Sequence, residues 1–186
     1  MDLNKLEGNI IGILSTDKLL KNDYKNKKVK DIIPYKFEQS LKMVGLKEEI
    51  ANVIYEELSS REKSKVILAS KLNEKIIVLE NFSKGLIKKD FDNFKRLFKR
   101  LTNYNKKIIL IDNNLELFLN CVDSIYIIDN DKIAYKTDNI FDPTIYLNSD
   151  SPKIVEFTYL SEDEGIHIDE YKELDELIKA IYRIKS

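Results

Sequence analysis

The 186-residue chain has no tryptophan, one cysteine, one histidine, three prolines and five glycines, and each shortage narrows what it can be. A single thiol, Cys121, excludes an internal disulfide framework and fits a reducing compartment. The sole histidine, His167 in GIHID, has no second ligand of matching type near it, so it reads as an ordinary loop or strand residue and no metal site is expected. Glycine is scarcest where a phosphate cradle would need it. Such a loop uses glycines so that successive backbone N–H groups can approach the oxygens, together with a lysine on the β/γ phosphates. Gly8 and Gly12 are the only glycines before Gly45, and neither stands in that context. Charge of one sign is missing too. With 31 basic and 32 acidic side chains the formal net charge is -1, so no global field points to nucleic acid. No apolar run approaches the roughly 20 residues that span a bilayer, and the start MDLNKLEGN is no signal peptide. These exclusions lead us to expect a cytoplasmic chain, able to sit peripherally on the inner face of a membrane, with one well-buried domain.

What is present is organised around Leu58 to Leu86, LSSREKSKVILASKLNEKIIVLENFSKGL. Val66, Ile67, Ala69 and Leu72 recur at spacings of three and four, which predicts one apolar helical face, with Lys63, Lys65 and Lys71 largely on the other side. Ser59 and Glu62 form a capping-box pattern at the start of that helix, and Asn73 closes it. Ile76 to Leu79 follow as a continuous run of branched apolar residues, the pattern of a strand covered on both faces of a parallel sheet. Glu80 then places a carboxylate at the carboxyl end of a strand, where open α/β sheets hold their ligands.

This order resembles the ABC transporter ATPases, in which an LSGGQ or LSGGE signature opens a helix that leads to a Walker B strand ending in Asp-Glu-Pro-Thr. Here the signature stands as LSSRE, with Ser59, Ser60, Arg61 and Glu62 at its binding positions, and the Walker B end stands as VLENFSKGL. Ser60 and Arg61 replace the two glycines, Glu80 replaces the Walker B aspartate, and Asn81 falls at the catalytic glutamate. The resemblance implies an α/β fold, a partial P-loop NTPase with a mostly parallel sheet, a helical subdomain and a C-terminal helical extension. It divides the chain into residues 1–148, with the subdomain at about 36–57, and an extension at 149–186.

The remaining segments fit the same frame. Asn9 to Leu14, NIIGIL, is a strand candidate with two alignments: as the strand before the phosphate loop, or as the strand ending at the Q-loop glutamine, which places Thr16 there. The second is preferred, because KLLKNDYKNKKVKDII looks like the family's segment after the Q-loop; in either case the Walker A loop is absent. FEQSLKMVGLKEEIANVIYEE, Phe37 to Glu57, reads as two short amphipathic helices split around Gly45. Ser83 to Leu86 resemble the D-loop region, with Ile87 where an aspartate is usual. Asp90 to Leu101 carries Phe91, Phe94, Leu97, Phe98 and Leu101 at helical spacing as a core stripe, while Lys95, Arg96, Lys99 and Arg100 read as a solvated face. Lys107 to Ile111 is a second buried strand; the family's switch histidine falls on Asn113, and a hairpin with its turn at Asn130 and Asp131 follows. Pro152 begins one C-terminal helix and Tyr171 to Ile184 forms another, similar to the extension of energy-coupling-factor ATPases that contributes to subunit pairing.

Substitutions thus collect where the family touches ATP, and the apolar periodicity persists. The resemblance implies a truncated, degenerate subunit, catalytically inert, acting as a structural or regulatory partner of an active ABC ATPase homologue beneath a transmembrane transporter subunit. ATP and Mg are implied only in a composite site shared with that partner. Two alternatives stay open: an ATP-binding component whose Walker A half is supplied elsewhere, and a soluble interaction module outside transport.

Overall fold

The computed structural model describes residues 3–15, 24–119, 121–129, 132–146 and 151–184. Five strands form one sheet: β1 (Ile10–Ser15), β2 (Ile76–Glu80), β3 (Lys107–Ile111), β4 (Ser124–Asp129) and β5 (Lys132–Thr137), in the order β2-β3-β1-β4-β5. β2, β3, β1 and β4 run parallel, and β5 returns antiparallel beside β4. The fold is therefore α/β with a mostly parallel sheet, as expected. Six helices accompany it among the described residues: α1 (Val29–Ile32), α2 (Phe37–Val44), α3 (Ser60–Lys71), α4 (Lys88–Thr102), α5 (Lys153–Asp163) and α6 (Leu174–Ile184).

Strand residues alternate between two apolar layers because successive side chains point to opposite faces. Ile10 and Leu14, Ile77 and Leu79, Ile108 and Leu110 join one layer with Leu41 and Val44 of α2, Val66 and Leu68 of α3, Phe94 and Phe98 of α4 and Val155 of α5. Ile11, Ile13, Ile109 and Ile111 face the other way with Tyr126, Ile128 and Leu6. Gly12 lies between these alternations for a steric reason. A Cβ there would stand 2.7 Å from the Phe118 ring, which fills the space a side chain would need.

Several local expectations shift. β2, expected to be covered on both faces, is an edge strand that alternates between half-buried and buried residues, whereas β3 is interior and buried from Ile108 to Ile111. An apolar run alone does not distinguish the two, since burial of the outer face depends on which strand lies beside it. The second helix expected after Gly45 is instead two three-ten turns, Glu48–Asn52 and Tyr55–Glu57; Gly45 itself, at φ +70°, terminates α2 in the left-handed conformation. Leu72, not Asn73, caps α3. Lys65, assigned to the solvent side of α3, is buried, because Asp90 of α4 meets its ammonium. The Asn130–Asp131 turn lies outside the described residues, although the two strands it joins pair as expected.

Candidate functional site

The chain order around β1 sets where a ligand crevice forms. From β1 the chain crosses to β2 at one edge, returns to β3 beside β1, and next enters β4 on the far side of β1. The connections from the carboxyl ends of β1 and β3 therefore diverge, which is the topological switch point of an open parallel sheet. Glu80 pairs in register with Ile111, and the Asn81 N–H donates to the Ile111 carbonyl at 2.8 Å, so the strand ends carrying Glu80, Asn81 and Asn113 lie side by side. Asn81 adopts φ +51°, a left-handed conformation that asparagine tolerates, and this turns the chain sharply after Glu80. Thr16 lies outside the described residues.

Asp112, which sequence reasoning passed over, is the organising carboxylate of this end of the sheet. It is buried, accepts from the Ser83 N–H and hydroxyl at 2.8 Å each, and accepts from the Asn114 N–H at 3.0 Å. Those bonds tie the turn after β2 to the turn after β3. A carboxylate holding three donors from two turns is a structural clasp between them.

The LSSRE segment forms a complete N-terminal cap. Ser59 Oγ accepts from the Glu62 N–H at 3.3 Å, and Glu62 Oε2 accepts from the Ser59 N–H at 2.9 Å and from the Ser59 hydroxyl at 2.6 Å. The Ser59 hydroxyl and N–H hold the Glu62 carboxyl below its usual range. Arg61 turns back into its own chain. Its guanidinium grips Asp90 through Nε to Oδ2 at 2.6 Å and Nη2 to Oδ1 at 2.9 Å, while Lys65 Nζ reaches Oδ1 at 2.9 Å. Burial alone would push the Asp90 carboxyl up; the bonds from Arg61 and Lys65 and the Ile87 N–H outweigh it and hold the group well below the ordinary carboxylate range. The start of α3 is thus clamped to the start of α4. The D-loop-like segment completes the junction: Ser64 Oγ donates to the Lys84 carbonyl, and Gly85 passes so close that a Cβ would stand 2.8 Å from both the Arg61 nitrogen and the Ser60 Cβ.

Asp90 and Lys65 were missed as partners because they are 25 positions apart in sequence. One local signal was available: Asp90 is the third residue of α4 and accepts from the Ile87 N–H at 3.1 Å, the carboxylate half of a capping box. His167 is exposed, 3.9 Å from both Glu162 and Asp169.

The mostly parallel sheet with its switch point, the capped start of α3 and the carboxylate at the end of β2 belong to an ABC ATPase-like fold. In particular the chain is similar to two energy-coupling factor transporter ATP-binding proteins named EcfA2. The protein from Mycoplasma capricolum subsp. capricolum is 26% identical over 141 residues, covering 72% of this chain and 49% of the relative. The protein from Mesoplasma florum is 26% identical over 167 residues, covering 84% and 53% respectively. The chain therefore spans about half the length of the curated relatives it matches. No protein-family model matches it. Among solved structures, a dimeric ATP-binding cassette in a post-hydrolysis state with ADP and Pi superposes at a TM-score of 0.55 with 17% identity, over 73% of this chain and 88% of that one. A second dimeric bacterial ABC transporter cassette superposes at 0.54 with 16% identity, over the same shares. At that identity the likeness carries the fold. No helix among the described residues is long and apolar enough to cross a membrane.

Proposed function

We propose that the chain is a catalytically inert ABC ATPase-like subunit that acts as the structural or regulatory half of a pair with an active homologue beneath a membrane transporter. The observation that carries this reading is the chemistry at the crevice: Asn81 follows Glu80 where a general base is needed, and Asp112 is engaged by Ser83 and Asn114. An amide cannot take the proton of an attacking water. The interior position of β1 at the switch point supports its alignment with the strand ahead of the phosphate loop, in place of the Q-loop alignment preferred from sequence. TDKLLK then follows β1 in the sequence with neither glycine nor a GK pair. Loss of one positioning or electrostatic group costs on the order of several kcal/mol in phosphoryl transfer, so loss of cradle, base and γ-phosphate sensor together leaves hydrolysis near background.

In a composite site with a partner's nucleotide, this chain contributes the capped N-terminus of α3, with Ser59 and Ser60. Arg61 is held by Asp90 and does not extend from that turn as a free cation. The division into residues 1–148 and a pairing extension at 149–186 belongs to the same proposal. Phosphate release from Mg-ATP by the purified chain should stay at background. Turnover of about 1 per second or faster, the ordinary enzymatic range, overturns inertness. Light scattering of an equimolar mixture with an active ABC ATPase should show a heterodimer, and a chain that stays monomeric there contradicts the pairing. A second reading, an ATP-binding component whose Walker A half comes from another chain, rests on the half-length coverage of the relatives. Hydrolysis that appears only when the missing half is added selects it.

A further inference from the structure

We propose that the cleft between α4 and the ends of α2 and α3 is a binding site for a multiply charged phosphate chain, separate from the crevice at the strand ends. The cleft has a volume of about 580 Å³, and Lys42, Arg61, Lys65, Lys89, Arg96 and Arg100 line it against one carboxylate, Asp90. In a chain whose charges nearly cancel, that is a local concentration of one sign. Asp90 answers Arg61 and Lys65. Among the described residues no carboxylate lies within 4.0 Å of Lys42, Lys89, Arg96 or Arg100 as an ion-pair partner. Arg96 bonds only neutral oxygens among them, the Asp92 carbonyl and Asn93 Oδ1.

The arrangement selects the ligand. Lys89, Arg96 and Arg100 follow one another at spacings of seven and four, so they share a face of α4 and form a row about 16 Å long at 1.5 Å per residue. Lys42, in the last turn of α2, stands on the opposite wall. Protein walls on both sides concentrate the field of such a row, and guanidinium forks match phosphate oxygens in pairs. A row suits a chain of charges better than a single anion. The lining has no exposed aromatic ring, Phe94 being buried, so bases of a single strand find no stacking platform. Met43 is its one half-buried apolar side chain, so an acidic peptide finds no anchor pocket. Beyond Arg61 an adjoining cleft adds Lys47 together with Glu49 and Glu62, and the purely cationic stretch ends there.

Titration calorimetry on the full chain at low ionic strength tests this with inorganic tripolyphosphate, ATP without metal, a polyglutamate peptide and a short oligothymidylate. Tripolyphosphate should bind at one site and weaken as salt rises. The pair Arg96→Gln with Arg100→Gln should weaken it at least tenfold. The pair Lys95→Gln with Lys99→Gln removes the same charge from the same helix away from the cleft, and should leave binding within twofold. Equal affinity for ATP assigns recognition to the shared phosphate chain, and tighter binding of ATP that is still lost in the Arg96/Arg100 pair adds a nucleoside contact to it. Absence of tripolyphosphate binding, equal weakening by both pairs, or tighter binding of polyglutamate or oligothymidylate overturns the proposal. Urea midpoints of the variants verify that each is folded.

Discussion

Asp90→Ala should destabilise the fold by about 3 to 4 kcal/mol, because it strips the carboxylate that both cations of the junction bond. The two do not suffer equally. The Arg61 side chain is 42% exposed and can turn to water, whereas the Lys65 side chain is 9% exposed and is left as a buried charge without its partner. Loss of the bond to the Ile87 N–H makes up about 1 kcal/mol of that total, the usual worth of a helix cap. With a urea slope of about 2 kcal/mol per molar, the midpoint should fall by roughly 1.5 to 2 M at an unchanged slope. Lys65→Met should rescue part of the loss in Asp90→Ala, since it removes the stranded charge. The pH dependence has a definite sign. The folded carboxyl is held below its ordinary value, so its stabilisation is complete above about pH 4, the unfolded range, and is lost as pH falls through the lower folded value. The wild-type chain should therefore lose stability below about pH 4 more steeply than Asp90→Asn. A change under about 0.5 kcal/mol in Asp90→Ala, within the range of surface substitutions, or an identical acid limb in Asp90→Asn, would refute the clamp.

Gly85→Ala combines a left-handed φ of +79° with a Cβ 2.8 Å from the Arg61 nitrogen, so a loss of about 1 to 3 kcal/mol is expected in urea unfolding. Gly12→Ala drives a methyl into the Phe118 ring and should cost about 1 to 3 kcal/mol, with recovery when Phe118→Leu is added; no recovery would place the damage in the β1 backbone. Ser59→Ala removes the cap acceptor of α3 and should lower stability by about 1 kcal/mol, read as a thermal midpoint roughly 2 to 4 °C lower.

The sequence by itself determined the elements and their order. The period of the apolar residues on α3 and α4, the Ser59–Glu62 cap, the runs that became β2 and β3, and the polar residues Glu80, Asn81 and Asn113 that follow those runs are all local facts, and local spacing is what a sequence displays. Tertiary structure alone decided which strand is interior and which is edge, because that depends on strands distant in the chain: β1 lies between β3 and β4, and β2 at the border. It also decided the fate of the charges. Lys65 reads as a solvated side chain and Arg61 as a binding position of the signature-like turn until α4 brings Asp90 against them, and Asp112 shows itself as a clasp only when β2 and β3 align their ends. A charged group's role depends on the groups that surround it in space, and for these residues the partners come from other elements of the chain.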